Sequence, residues 1–384
     1  MPLNRRSFLE KTTIAAAVAL TGDCFSSYVC AGDDTPLTTT GVGDVNTPTF
    51  YRHDIGASAG RMHEPTAGTD GNIWTSPLDG NLWRYHAPTG DVEIIPLEKL
   101  TGRAWKGLHL WPVAYGDDVF LCCPNLSELW VWHRKTGTVK QYPFPHDKPA
   151  IYGGFVVPTW ENVYFYDTSR AGVLKWNPAM QQGTFFPCPY ILSGTLYMTF
   201  AEADRHEIWG STYTGNDVVC FNTHDERWTH HLKSPLNDST PTPGAHVFGE
   251  TLFVSDHLHG RIFPLNITSG EWGDAIPVPG YKEWFGYVSG GWYFDGKLYM
   301  CHSTWTGGTN SLDGEPHHFL GSWSVFDPET RTFSRLDMPT RDGEERKYLM
   351  SDYAATYDDQ LYILAVNAKA PQTAIVLRSQ PLKG

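Results

Sequence analysis

Basic charge is scarce in this chain: 29 Lys and Arg stand against 42 Asp and Glu, for a formal net charge of −13. That excludes nucleic acid and anionic membrane as general partners, because both demand a basic surface that releases counterions. An anionic ligand must be met locally. Cysteine is sparse too. Beyond position 31 there remain Cys122, Cys123, Cys188, Cys220 and Cys301, an odd set without a CxxC pair, so neither a zinc cluster nor a disulfide framework is expected. The vicinal Cys122-Cys123 reads as two small hydrophobes on opposite faces of a strand. Long apolar runs are missing. The run at 13–20 is too short to cross a bilayer, and behind Arg5-Arg6-Ser7-Phe8-Leu9 it reads as a twin-arginine export signal.

The expected organisation is therefore a signal peptide at 1–31, a polar flexible leader at 32–46 and one folded domain over 47–384. The expected location is periplasmic or extracellular, and the mature protein is read as a monomer without a transmembrane segment. Helix-period stretches are also few. With 14% aromatics, 37 Gly and 27 Pro, the composition is that of an all-β protein of short strands and turns.

What is present in quantity is repetition. Asp70-Gly-Asn-Ile-Trp74, two small or acidic turn residues followed by an aliphatic-aromatic pair, returns along the chain. The marker aromatics are Trp74, Phe120, Tyr164, Trp209, Phe253, Tyr299 and Tyr362, a period of roughly 45 residues. This spacing predicts a seven-bladed β-propeller with four strands per blade and the marker on the second strand. Third strands are expected at 82–85, 129–132, 173–176, 218–221, 261–264, 323–326 and 374–377, with turns such as Pro88-Thr-Gly90 leading to the outer strand. The last repeat lacks a fourth strand. The segment 48–53 has the length and alternation to supply it, which would close the ring and remove two sheet edges. One repeat is longer than the rest, and its excess at 303–321 reads as a loop insertion walling a site.

In antiparallel blades the start of each inner strand and the loop after the second strand share one end of the ring. His63 and His109 stand at equal places there, and Tyr152, Tyr197 and Tyr287 fall one residue earlier in their repeats. His246 and Asp352 lie near the same end, joined from the loops by Asp79, Asn125, Arg170, His257, His259 and His302. The functional reading is a funnel of titratable rings with one guanidinium, fit for a polar or sugar-like ligand and for proton transfer near neutral pH. The plain reading is that such side chains bond backbone groups and hold the blades together. His317-His318 and Glu64 recur in no pattern of metal ligands, so no metal is assigned; the sequence points to no particular cofactor, and a structural divalent cation in the channel is left open. His230-His231 read as surface residues of an outer strand, and no GxSxG marks a serine nucleophile.

The run Glu64-Pro-Thr-Ala-Gly-Thr-Asp-Gly-Asn-Ile-Trp74, with Leu82-Trp-Arg-Tyr, Pro88-Thr-Gly90 and Ile94-Ile-Pro-Leu97, resembles the repeat of virginiamycin B lyase-like propellers. The resemblance implies the fold over most of the mature chain. In that family a His and a Glu near the channel carry the elimination. The counterpart of the His here is His246, and His257 stands where the Glu would be. The order His109, Tyr152, Arg170 is also similar to the site of seven-bladed polysaccharide lyases such as the ulvan lyases. That second resemblance implies β-elimination from a uronate, an anionic carbohydrate. Arg170 with His109 or His63 would hold the carboxylate, and Tyr152, its pKa lowered by nearby positive charge, would act as base. Tyr197, His257, His259, Tyr287 and His302 would contact substrate. The alternatives are a non-catalytic carbohydrate- or protein-binding propeller and a streptogramin-type lyase.

Overall fold

The protein, seen in a computed structural model, is described over residues 41–43, 50–57, 65–144, 150–213, 215–235, 241–256, 260–279, 287–303, 322–337, 348–367 and 373–379. Seven antiparallel sheets succeed one another as the blades of a propeller. Blade 1 comprises Thr66–Ala67, Asn72–Thr75, Asn81–His86 and Val92–Pro96, from the channel outwards. The inner strands of blades 2 to 7 are Trp111–Tyr115, Ile151–Phe155, Thr195–Glu202, Pro241–Phe248, Tyr287–Phe294 and Tyr348–Tyr357. All seven marker aromatics stand on second strands, none more than 4% exposed. Burying each large side chain contributes about 1.5–3 kcal/mol, which is why the period is visible in the sequence.

The core is a set of apolar layers between neighbouring blades. Leu82, Val119 and Trp130 fill the layer between blades 1 and 2, and Ile73, Trp83, Tyr362 and Val376 fill the one between blades 7 and 1. The ring is thus closed. Cys122 and Cys123 enter different layers, as expected for adjacent strand residues.

Closure is made by the N-terminal strand. Tyr51–Ala57 pairs with Thr373–Arg378 as the fourth strand of blade 7, starting slightly beyond the expected 48–53. Within the segment read as a flexible leader, Gly41–Gly43 forms a fifth strand on blade 6, with Val42 opposite Arg335. The export signal and the insertion at 304–321 lie outside the described residues. Among the described residues no helix is long and apolar enough to cross a membrane.

The motif at Asp70 earns its place through the blade junction. The Asp70 carboxylate accepts from the Asn72 amide N–H at 3.2 Å and the Trp74 indole at 3.4 Å, and pairs with Arg134 of blade 2 at 2.6 Å. The Arg134 guanidinium sits 5.5 Å over the Trp74 ring. One acidic turn residue therefore fixes both a hairpin and its neighbour. Glu207 repeats the hairpin half of the device in blade 4, accepting from Trp209 at 3.0 Å and pairing with Arg205 of the same turn.

The two ends of the ring differ in what forms them. At the entry end lie the starts of the inner strands, the loops after the second strands and the connections between blades. At the hairpin end lie the tight turns between first and second, and third and fourth, strands.

Candidate functional site

At the entry end the structure brings three of the expected residues together. His109 lies two residues before Trp111–Tyr115, Tyr152 is on Ile151–Phe155 and Tyr197 on Thr195–Glu202. The Tyr152 ring meets His109 and Tyr197 edge-on, with centroids 5.1 Å away in each case. Tyr166, fully buried, stacks behind Tyr152 at 6.3 Å and contacts Tyr197 at 6.1 Å. Blades 2, 3 and 4 thus supply one continuous half-buried face of an imidazole and two phenols.

Local backbone explains why Tyr152 stands out from its strand. Ile151 pairs with Asp167 and Gly153 with Tyr166, so Tyr152 is the extra residue of a β-bulge. Bulges re-aim a side chain and recur beside functional sites. Gly153 must be glycine, since a Cβ there would lie 2.6 Å from the Trp111 ring. The inner strands of blades 4 to 7 also shift register, at 198–200, 243–247, 288–290 and 350–354. His246 and Asp352 fall within two of those shifts.

Asp167 ties the two halves of this site. Its fully buried carboxylate accepts from the backbone N–H of Ala150 at 3.2 Å, of Ser169 at 2.7 Å and of Arg170 at 3.4 Å, and from the Ser169 hydroxyl at 2.7 Å. It therefore holds the residue leading into Ile151–Tyr152 and the turn bearing Arg170. Sequence reading passed over Asp167; the signal was an Asp ending a strand before Thr-Ser, the start of an Asx turn. Arg170 itself is exposed on the rim, and among the described residues its guanidinium makes no ion pair.

The rim next to His109 is basic and firmly built. The helix Leu97–Thr101 and the loop after it carry Lys99, Arg103 and Lys106. Trp105, buried, donates from its indole to the Thr101 hydroxyl at 2.7 Å, and Gly107 N–H bonds the Leu78 carbonyl of the neighbouring loop at 2.9 Å. Burial pushes the Asp79 carboxyl up despite hydrogen bonds from Asn81. On the blade 4 side, Asp217 anchors the connection from blade 3 by accepting from Ser193 N–H at 2.6 Å and from His231 at 2.7 Å, with Lys233 also paired. Burial opposes that charge, but Lys233, Ser193 and His231 outweigh it and hold the carboxyl at about 2. His231 also stacks on Tyr190 at 4.5 Å and His230 lies against Trp209 at 5.1 Å, so both are half-buried structural groups and not the surface residues expected.

The remaining expected residues are placed less fully. His246, Tyr287 and His302 lie on Pro241–Phe248, Tyr287–Phe294 and Lys297–Ser303, with their side chains outside the described residues. His63, His257 and His259 lie wholly outside them. Among the described residues no group of three or more His, Cys, Asp or Glu is arranged to hold a metal ion.

No protein-family model matches the chain, and no curated protein does. Solved structures do. A streptogramin B lyase superposes with TM-score 0.57 at 12% identity, covering 85% of this chain and 97% of its own. A catalytically inactive variant of virginiamycin B lyase from Staphylococcus aureus, with quinupristin, gives 0.61 at 12% identity, covering 85% and 99%. The selenomethionine-substituted enzyme from the same organism gives 0.59 with the same identity and coverage. The chain shares the seven-bladed propeller fold of these structures. At this identity the likeness is one of architecture, and chemistry must be argued from the chain's own residues.

Proposed function

We propose that the protein is a carbon–oxygen lyase that cleaves a uronate-containing poly- or oligosaccharide by β-elimination at the entry end of the ring. The observation that carries the reading is the contiguous face of His109, Tyr152 and Tyr197, with Tyr152 put forward by a bulge and Arg170 set on the rim by the same Asp167.

The reaction needs three things. The uronate carboxylate must be neutralised, so that the proton on the adjacent carbon becomes acidic; Arg170 and His109 take that role. Tyr152 removes the proton, and the electron pair left on carbon forms the new double bond as the neighbouring carbon–oxygen bond breaks. The departing oxygen then receives a proton, from Tyr152 once it has become the acid. Tyr197 flanks the reacting ring. Positioned donors contribute roughly 3–4 kcal/mol each and acid–base transfer about 10² to 10⁴ in rate. The reading includes export by the twin-arginine route to a compartment where anionic polysaccharides are met. A second reading, a streptogramin-type lyase, is supported by the likeness to the streptogramin B and virginiamycin B lyase structures.

The test is ultraviolet absorbance of the conjugated, unsaturated uronate while mature protein is incubated with a panel of uronic-acid polysaccharides, and with quinupristin in a parallel arm. A rise with one polysaccharide, lost in Tyr152→Phe and Arg170→Ala, is expected. Opening of quinupristin alone would move the assignment to the second reading. No reaction in either arm, with saccharide binding intact in all three proteins, would leave a binding propeller.

A further inference from the structure

In blades 1 and 5 the loop after the second strand ends on a left-handed glycine just before the third strand, Gly80 at φ 88° and Gly260 at φ 59°. Blade 3 has Ala171 at that place, with φ 47°. Left-handed backbone is unfavourable for any residue with a Cβ, and such strain persists where the surroundings over-determine it, often beside functional sites. Every other non-glycine residue with positive φ among the described residues lies in a tight turn at the hairpin end. Ala171 alone is at the entry end, and it follows Arg170.

The surroundings do over-determine this turn. Thr168 N–H bonds the Ala150 carbonyl at 3.0 Å, the Asp167 carboxylate accepts from Ser169 N–H at 2.7 Å and Arg170 N–H at 3.4 Å, and the Ala171 carbonyl accepts from Cys188 N–H at 2.7 Å. Ala171 also packs against the core cluster shared by blades 2, 3 and 4. Blade 5 puts the same parts to another use. Asp256 ends its second strand as Asp167 does, but its carboxylate pairs with the guanidinium of Arg261, the first residue of the third strand, at 2.7 Å. In blade 3 that first residue is Gly172, the carboxylate is met by backbone N–H groups and the Ser169 hydroxyl, and the Arg170 guanidinium stays exposed.

We propose that Asp167 and Ala171 are positioning residues of the elimination, an inference that rests on the lyase reading: the clamp at one end of the turn and the left-handed alanine at the other fix where the Arg170 guanidinium meets the uronate carboxylate. Both act through Arg170 and not on substrate. Glycine at 171 would open a wider range of backbone conformations to the turn. A guanidinium that wanders then neutralises the carboxylate in only part of the population.

The test is kinetics of the parent, Ala171→Gly and Asp167→Asn on the polysaccharide that the parent cleaves, with urea denaturation of the same preparations. Ala171→Gly is expected to lower kcat/KM about tenfold per folded molecule. Its urea midpoint is expected not to fall, because relief of the left-handed strain offsets the lost methyl packing. The acidic limb of its profile of kcat/KM against pH is expected to move to higher pH. Tyr152 must be ionised to act as base, and with Arg170 displaced less positive charge favours that ionisation, while His109, Tyr166 and Tyr197 stay against it. A merely structural change would leave the limb in place. Asp167→Asn is expected to act in the same direction; should it fail to fold by its melting curve, Ala171→Gly decides alone. The proposal is overturned if Ala171→Gly stays within about twofold of the parent, or if its rate falls with the limb unmoved. A parent that cleaves no uronic-acid polysaccharide removes the lyase reading and this inference with it, whereas an active parent with indifferent variants removes this inference alone.

Discussion

The two ends of this ring are built from the same strands yet carry opposite chemistry. The entry end gathers His109, Tyr152 and Tyr197, with Arg103, Lys106 and Arg170 around them. The hairpin end places Asp70, Asp117, Asp204, Glu250, Asp295, Asp358 and Asp359 in its first turns. A net charge of −13 would by itself repel a polyanion, but these seven acidic residues stand in turns that face away from the proposed site. The difference teaches that a propeller can separate a folding requirement from a binding requirement. Acidic residues serve tight hairpins at one end, while longer loops at the other are released to carry rings and cations.

The sharpest way to break this comparison uses two neighbouring inner strands. Tyr115 closes Trp111–Tyr115 at the hairpin end, and its hydroxyl donates to the Trp160 carbonyl at 3.4 Å. Tyr152→Phe is expected to lower the elimination rate by about 10² to 10⁴ without loss of stability. Tyr115→Phe is expected to leave the rate unchanged and to cost about 0.5 kcal/mol in urea denaturation. Equal rate losses in the two variants would remove the distinction between the ends.

A second pair separates crowding from backbone strain. Gly153→Ala drives a Cβ to 2.6 Å from the Trp111 ring, while Gly296, at φ 72°, has open space around it. The first change is expected to cost about 1–3 kcal/mol through overpacking, and to reduce turnover because Tyr152 moves with the bulge. Gly296→Ala is expected to cost about 1 kcal/mol through left-handed strain alone, with turnover intact. Denaturation midpoints and rates on the same preparations decide it.

How much of this was legible beforehand follows from which interactions are local. The blade rhythm was legible because each marker aromatic is buried in a layer between blades, whatever its neighbours. His109, Tyr152 and Tyr197 were legible because they stand at matched places before those markers, the two tyrosines one residue earlier than the histidine. The bulge at Tyr152 was not, because a bulge is a relation between two strands and only Gly153-Gly154 hinted at it. Asp167 was missed for the same reason: its role is to accept from backbone groups at 150, 169 and 170, which no side-chain pattern announces. His231 was misread as a surface residue because its partner Asp217 lies on the adjacent strand. The strand at Gly41–Gly43 carries little pattern of its own; it is an edge addition, specified by the unpaired outer strand that it covers. Charge segregation could not be read from composition at all, since it depends on which loops meet at which end.

The smallest expected effect sharpens that last point. Arg103 and Lys106 are exposed in the loop that leads to His109. Reversing both, Arg103→Glu with Lys106→Glu, is expected to raise KM for a uronate polysaccharide about two- to fivefold at low salt, with kcat unchanged, because rim charges govern encounter more than chemistry. The difference between variant and parent should fade as ionic strength rises, once the Debye length falls to about 8 Å or less. If KM at low salt is the same in both proteins, the local basic rim has no influence on substrate, and the uniform negative field of the whole chain is the one that the polyanion meets.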